Sequence, residues 1–131
     1  MPDQPSTGTA SSADGEVAVA RLAAISTDVR GCVILEGDGS ALAASGDPQA
    51  WGASARALLG AADEAAGEPV SHVHVGTEDG EAFAVRLGGY AAVAVAPRFA
   101  LTSLMFSDMR AVLRDLAAGP GASLIREAQV S

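Results

Sequence analysis

Three short turns constrain the fold of this chain more than any other feature of its sequence. Gly37-Asp38-Gly39, Glu78-Asp79-Gly80 and Gly88-Gly89 each separate two short runs that are rich in apolar residues. An Asp-Gly or Gly-Gly pair between such runs is a strong local signal for a β-hairpin. A parallel connection needs about a dozen residues or more, so strands joined by these turns pair antiparallel. The sequence therefore predicts a mostly antiparallel sheet.

The turn and helix-boundary signals divide the chain into three helices and five strands. Helices are predicted over about 15–28, from Asp47 to about Gly67, and over about 100–118, with Asp14 and Asp47 as N-caps. The predicted fold class is α+β, a five-stranded, mostly antiparallel sheet in the order α-ββ-α-βββ-α. The strands are predicted at Arg30–Glu36, Ser40–Ala44, Val70–Thr77, Glu81–Leu87 and Tyr90–Ala96.

Helical periodicity predicts which side of each helix is buried. The first and third helices are expected to cover one sheet face, whereas the second needs a surface of its own. Gly52 and Gly60 lie inside the second helix, where each costs roughly 1 kcal/mol relative to Ala. The first helix places Ala18, Leu22, Ile25 and Val29 on one face, and the apolar stripe of the second consists of Trp51, Ala55, Leu58, Ala62 and Ala65. The buried stripe of the third is predicted to be Leu101, Met105, Met109, Val112 and Leu116.

The two ends differ in composition from the rest of the 131-residue chain. Residues 1–13 are rich in Ser, Thr, Pro and Gly without periodicity, and predict a disordered leader. Gly119-Pro120-Gly121 stops the last helix and predicts a flexible tail over 119–131. The domain itself is predicted over 14–118.

Charge and residue usage exclude several classes of function. Sixteen acidic residues against eight basic ones give a net charge of -8, which repels nucleic acid and anionic membranes. All eight basic residues are Arg, so an orthodox P-loop or Schiff-base lysine is absent. The single Cys32 cannot form an intrachain disulfide, and no apolar run is long enough to span a bilayer. We therefore expect a cytoplasmic protein.

No residue pattern points to catalysis, so we expect no enzymatic activity, no cofactor and no metal. Cys32 lies on an apolar strand and is expected to be a buried, inert thiol. Asp38 and Asp79 are interpreted as turn residues. His72 and His74 lie two apart on a strand and so face the same way. They could form a metal pair, but no Cys or acid in the sequence pattern completes a ligand set, which favours two imidazoles on a sheet face.

Three stretches, in this order and spacing, resemble the roadblock family, which is named after a dynein light chain. They are VRGCVILEGDGSALAAS at 29–45, the Ala-rich helix WGASARALLGAADEAAGE at 51–68, and VSHVHVGTEDGEAFAVRLGGYAAVAVAP at 70–97. The resemblance covers about residues 16–118 and is to bacterial, in particular actinobacterial, members. It implies a roadblock/profilin-like sandwich and a non-enzymatic homodimer that pairs through the second helix and the third strand. It also implies a Ras-like small GTPase as partner and a sensor-kinase-like protein in the same complex.

The residues of the third strand favour a dimer independently of the resemblance. Val70–Thr77 contains no Pro, Lys or acidic residue, and such an unguarded strand edge invites pairing with a second copy. Trp51 is either an anchor in that interface or a cover over its own sheet, and the sequence leaves both open. The predicted dimer interface consists of Trp51, Ala55, Leu58, Ala62, Ser71, His72, Val73, His74 and Val75.

The predicted function is regulation or scaffolding of a Ras-like GTPase. Arg56, Arg86 and Arg98 are candidate contacts for an acidic GTPase surface or for phosphates, against the simpler interpretation of solvated surface residues. The alternative is a small-ligand sensory module of the same fold. That alternative requires a cavity of about 300 Å³ or more.

Overall fold

The computed structural model describes residues 11–25, 29–76, 78–97 and 102–119. Across these residues the chain follows the predicted order α-ββ-α-βββ-α. The helices are α1 (Ser12–Ile25), α2 (Pro48–Ala66) and α3 (Thr102–Ala118). The strands are β1 (Gly31–Leu35), β2 (Ala41–Ala44), β3 (His72–Gly76), β4 (Glu81–Leu87) and β5 (Tyr90–Ala96).

The strands form one five-stranded sheet in the order β2-β1-β5-β4-β3, and every neighbouring pair is antiparallel. Each of the three predicted turns joins strands that are neighbours in this order. The pairing of β1 with β5, from Gly31 opposite Val95 to Leu35 opposite Ala91, unites the hairpin with the three-stranded meander. As a result β2 and β3 are the two edges of the sheet.

The helices cover both sheet faces, so the fold has three layers. On one face, Leu22 of α1 and Met109 of α3 pack with Ile34 and Phe83, all four fully buried. On the other face, α2 packs on a smaller cluster of Val33, Leu35, Ala55, Leu59, Ala84, Ala91 and Val93. The expectation that the first and third helices share a face is confirmed, and α2 finds its surface on the opposite side of its own sheet.

The start of α1 differs from the prediction. The helix begins at Ser12, and Ser11 rather than Asp14 is its N-cap. The Ser11 hydroxyl accepts a hydrogen bond from the Asp14 N–H (3.2 Å), while the Asp14 carboxylate accepts one from the Ser11 N–H (3.0 Å). This reciprocal arrangement is a capping box, which places Asp14 in the first turn. The last residues of the predicted leader therefore belong to α1 and its cap, whereas 1–10, 26–28 and 120–131 lie outside the described residues.

Both ends of α2 agree with the prediction, but its buried side is rotated from the predicted apolar stripe, with which it shares Ala55. The Asp47 carboxylate accepts hydrogen bonds from the N–H groups of Gln49 and Ala50, and Gly67 ends the helix at φ +78°. The buried residues are Gly52, Ala55 and Leu59, while Ala65 is exposed. Gly52 explains why the buried side of α2 differs from the predicted stripe. A Cβ added at Gly52 would lie 3.2 Å from the Ala41 Cβ, so the glycine allows α2 to approach β2 closely.

The remaining boundaries differ by one or two residues or not at all. β4 and β5 begin and end where predicted. β3 begins at His72 rather than Val70, because the Val70 N–H is bonded to the Asp63 carboxylate (2.9 Å) instead of to a strand. Met105, Met109, Val112 and Leu116 of α3 are buried as predicted, whereas Leu101 lies outside the described residues.

Candidate functional site

The third strand forms an open edge of the sheet, as its sequence predicts. β3 pairs with β4 on one side and with no described residue on the other. Of its five residues, Val73 is half-buried and the other four are exposed. An edge strand presents unpaired N–H and C=O groups to whatever lies beside it. The β3 edge can therefore accept another strand.

The two histidines of β3 lie on the face that α1 and α3 cover. Their partners in β4 are Val85 and Phe83, which belong to the core on that face. His74 stacks on Phe83 (ring centroids 4.7 Å apart) and its Nε2 contacts the Glu81 carboxylate at 2.5 Å. The His72 ring meets Phe106 of α3 edge-on at 5.2 Å. Within the described ranges, no group of three or more His, Cys, Asp or Glu residues is placed to hold a metal ion.

The valines of β3 lie on the opposite face of the sheet, which α2 covers. Val73 and Val75 pair with Ala84 and Ala82, and Val73 packs against the α2 cluster. Val75 keeps 37% of its surface exposed, which is unusual for a valine in a strand. Leu58 of α2 is also only half-buried on this cluster. We call the open edge, together with Leu58 on the same sheet face, the β3 surface (Leu58 and residues 71–76).

The other predicted interface residues differ in how much of their surface is exposed to a partner. Ala55 is 2% exposed on the sheet-facing side of α2, so little of its surface is available to a partner, and its place in the interface stays a prediction. Trp51 covers its own sheet, because a Cβ added at Gly31 would lie 2.4 Å from the indole ring. The ring remains half-buried, which leaves the role of an interface anchor as a prediction. Ala62 is half-buried and Ser71 is exposed.

Arg86 is held by an internal ion pair that the sequence did not indicate. Its guanidinium donates to both carboxylate oxygens of Asp63 (2.7 and 2.9 Å) and to the Val70 carbonyl (2.9 Å). The hydrogen bonds from Arg86 and from the Val70 N–H hold the pKa of Asp63 at about 2, below its usual value of 3.8. The same pair raises the pKa of Arg86. The pair fixes the connection that leads from α2 into β3.

Arg56 and Arg86 border the same groove, which sequence reasoning missed. This groove, the Gly60 groove, lies between α2, the β1–β2 turn and the β4–β5 turn, and has a volume of about 560 Å³. Arg56 donates to the Gly39 carbonyl (2.8 Å), so it spans from α2 to the first turn. Arg98, the third predicted partner contact, lies outside the described residues. The groove brings together residues distant in sequence, so no local pattern could have revealed it.

Two other predicted residues have the structural roles expected of them. Cys32 is fully buried, and burial raises the pKa of its thiol to about 11. Asp38 accepts hydrogen bonds from the N–H and hydroxyl of Ser40, which lower the pKa of the carboxyl. These are the properties of an inert core thiol and of a turn-stabilising carboxylate.

Sequence comparison does not identify the chain, but its structure has known relatives. No protein-family model and no curated protein matches the sequence. A Roadblock/LC7 domain from Streptomyces avermitilis superposes with a TM-score of 0.62 at 19% identity, over 82% of this chain and 95% of that one. MglB of Myxococcus xanthus gives 0.63 at 13% identity, over 86% and 91%. The gliding protein MglB from Thermus thermophilus gives 0.61 at 18% identity, over 88% and 98%.

The described residues define an α+β protein whose five-stranded antiparallel sheet has two helices on one face and one helix on the other. Within that class, the chain has the Roadblock/LC7 fold, and the predicted fold is confirmed. None of the helices in the described ranges is long and apolar enough to span a bilayer.

Proposed function

We propose that this protein is a non-enzymatic homodimer that binds a Ras-like small GTPase and modulates its nucleotide state. The β3 surface carries the proposal, because an open strand edge bears the exposed Val75, and Leu58 of α2 is half-buried on the same sheet face. The Roadblock/LC7 fold supports it, since two of the structural neighbours are MglB proteins and one of these is described as a gliding protein. The proposed setting is a cytoplasmic, sensor-kinase-linked signalling complex.

In the proposed dimer, β3 pairs with β3 of a second copy across a two-fold axis. The two sheets become one, and α2 of each copy lies beside the seam. A symmetric pair of this kind presents a composite surface that neither copy has alone. A regulator that binds one conformation of the GTPase switch loops more tightly than the other shifts the population toward it. Such a mechanism requires no catalytic side chain from this chain.

Val75→Glu tests the dimer. The substitution places a carboxylate in the seam of each copy, and burying an unpaired charge costs several kcal/mol. We expect the dimer dissociation constant to rise by about a hundredfold or more, measured by sedimentation equilibrium. Val17→Glu is the matched control, because Val17 is 65% exposed on α1 and distant from β3 in the fold. Equal dimer affinity for both variants, or a monomeric wild-type protein at high concentration, would refute the proposed interface.

The regulatory role is tested with a Ras-like GTPase encoded beside this protein. GTP turnover is measured with and without this protein, together with binding in the GDP-bound and GTP-bound states. We expect a changed turnover or preferential binding to one state, and Val75→Glu should weaken the effect while Val17→Glu should not. Unchanged turnover together with no binding in either state would refute the regulatory function.

A further inference from the structure

We propose that the Gly60 groove is a binding site for a small amphipathic monoanion, a molecule with one carboxylate at the end of an apolar body. Its volume of about 560 Å³ lies within the range of small-molecule sites, which is about 300–1,000 Å³. The groove is formed by a different set of α2 residues from the β3 surface. Arg56 lies on the groove side of α2, whereas Leu58 is about 160° around the helix axis. This proposal goes beyond GTPase regulation and does not depend on it.

The lining of the groove suits an apolar body. Leu35 and Ala91 from the sheet and Leu59 from α2 border it with aliphatic side chains. Leu87 and Tyr90 border it only at the Gly88–Gly89 turn, because their side chains pack in the core on the other sheet face. Apolar lining with a few polar groups at its margin is the usual composition of a small-molecule site.

Gly60 keeps one wall of the groove open. It lies in the interior of α2, where glycine is less favourable than alanine. The other glycine of α2, Gly52, is explained by its contact with β2, but a Cβ added at Gly60 would meet nothing within 4 Å. Packing among the described residues therefore gives no reason for a glycine here. A molecule that lies against this turn of α2 would supply one, because any side chain at position 60 projects into the space it needs.

Of the two cations that border the groove, Arg56 is the one in no ion pair among the described residues. The carboxylate of Asp63 neutralises Arg86, so this guanidinium adds little net positive charge. Arg56 is exposed and uses one N–H on the Gly39 carbonyl, which holds the guanidinium at the margin with other N–H groups available. Glu36 also borders the groove, and it takes part in none of the ion pairs among the described residues. The Arg56 guanidinium suits a single carboxylate, whereas Glu36 opposes a ligand with several negative charges such as a polyphosphate.

Octanoate is the probe that tests this site. The ¹⁵N-labelled full chain is titrated with octanoate up to about 10 mM, and backbone amides are followed by NMR. We expect saturable shifts at Gly39, Gly60 and Gly88, with a dissociation constant in the millimolar range for a ligand of this size. Octanol, acetate and octylammonium, which lack the charge, the apolar body and the negative sign respectively, should each bind more weakly.

Three variants separate the groove from general apolar binding. Gly60→Leu fills the groove and should abolish the shifts. Arg56→Gln removes the charge-assisted hydrogen bonds and should weaken binding about tenfold. Ala53→Leu is the control, because Ala53 is exposed two turns earlier on the same side of α2 and does not line the groove; it should bind normally.

Three results would overturn the proposal: groove amides that do not shift, binding that persists in Gly60→Leu, or octanol or octylammonium binding as tightly as octanoate. Shifts confined to Val73 and Val75 would also overturn it, since they would place the probe on the β3 surface. The titration contains no GTPase, so its failure would leave the proposed regulatory function standing.

Discussion

At the scale of single residues, the Asp63–Arg86 ion pair determines how α2 leads into β3. Both side chains also bind the backbone of Val70, one through its N–H and the other through its carbonyl. The backbone N–H of Arg86 bonds the Ser71 carbonyl next to it. These contacts hold the residues just before β3 against β4 and so fix where the open edge begins.

Removing the Asp63 carboxylate should change how the stability of the protein depends on pH. Because the pKa of Asp63 is about 2 in the folded protein, against an ordinary value of 3.8, its stabilising effect is complete above about pH 4. The effect is lost as pH falls through about 2. We expect Asp63→Asn to lower the melting temperature by a few degrees at pH 7 and to flatten its decrease between pH 5 and 2. Circular dichroism melts across this range measure both effects.

Arg86→Gln provides the second variant for this prediction. It removes the cation that lowers the Asp63 pKa, so the melting temperature of this variant should also fall less steeply between pH 5 and 2 than that of the wild type. If either variant lost stability in acid as steeply as the wild type, the ion pair would not control this part of the curve.

The same pair shows what sequence could not predict at this scale. Positions 63 and 86 are 23 residues apart, and no spacing rule links a helical Asp with a strand Arg at that separation. From sequence alone, Arg86 is therefore interpreted as a candidate partner contact. By contrast, Asp38 and Asp47 act on N–H groups two or three residues away, and their roles could be predicted from local sequence.

At the scale of elements, α2 has contacts on several sides of its surface. Gly52 and Leu59 face the sheet, Leu58 is part of the β3 surface, and Arg56 and Gly60 border the groove. The ends of the helix were predictable because the cap residues act locally. Its rotation was not, because the predicted stripe follows the larger apolar residues while the closest approach to the sheet is made by a glycine.

Gly60 within α2 and Gly67 at its C-terminal cap should respond in opposite ways to substitution by alanine. Neither Gly60 nor Gly67 has an atom within 4 Å of an added Cβ, so only the backbone conformation differs between them. Gly60→Ala should raise the free energy of unfolding by about 1 kcal/mol, the difference in helix propensity. Gly67→Ala should lower it by about 1–2 kcal/mol, because Gly67 has φ +78°. Urea denaturation measures both.

The pair of variants serves as its own control, since the chemical change is identical. Destabilisation by Gly60→Ala would mean that α2 does not have open space at this position. In that case the wall of the groove would be closed by another part of the chain.

At the scale of the whole molecule, the short turns predict three of the four strand pairings and leave the fourth undetermined. Short connections fix β1 beside β2 and β3 beside β4 beside β5, which the sequence predicts. The pairing of β1 with β5 joins segments about 60 residues apart, and it depends on both core faces being filled at once. That pairing places Cys32 at the centre of the fold, where it is fully buried.

Cys32 should therefore report opening of the entire domain. Its thiol pKa of about 11 leaves very little thiolate at pH 8, and the closed core excludes reagents. We expect labelling by a thiol reagent to be more than a hundredfold slower in the native protein than in concentrated urea. Labelling kinetics by mass spectrometry measure the ratio. Equal rates in the two conditions would contradict the burial of the thiol.

The two margins of the sheet are not equivalent, and this limits how far self-association can extend. β2 is only four residues long, its ladder to β1 is irregular near Leu35, and α1 and α2 both pack closely on it. Among the described residues, the margin at β3 is therefore the more suitable of the two for pairing with another strand. In the proposed dimer each copy pairs this margin with that of the other, so we expect association to end at a closed pair and not to propagate into a fibre.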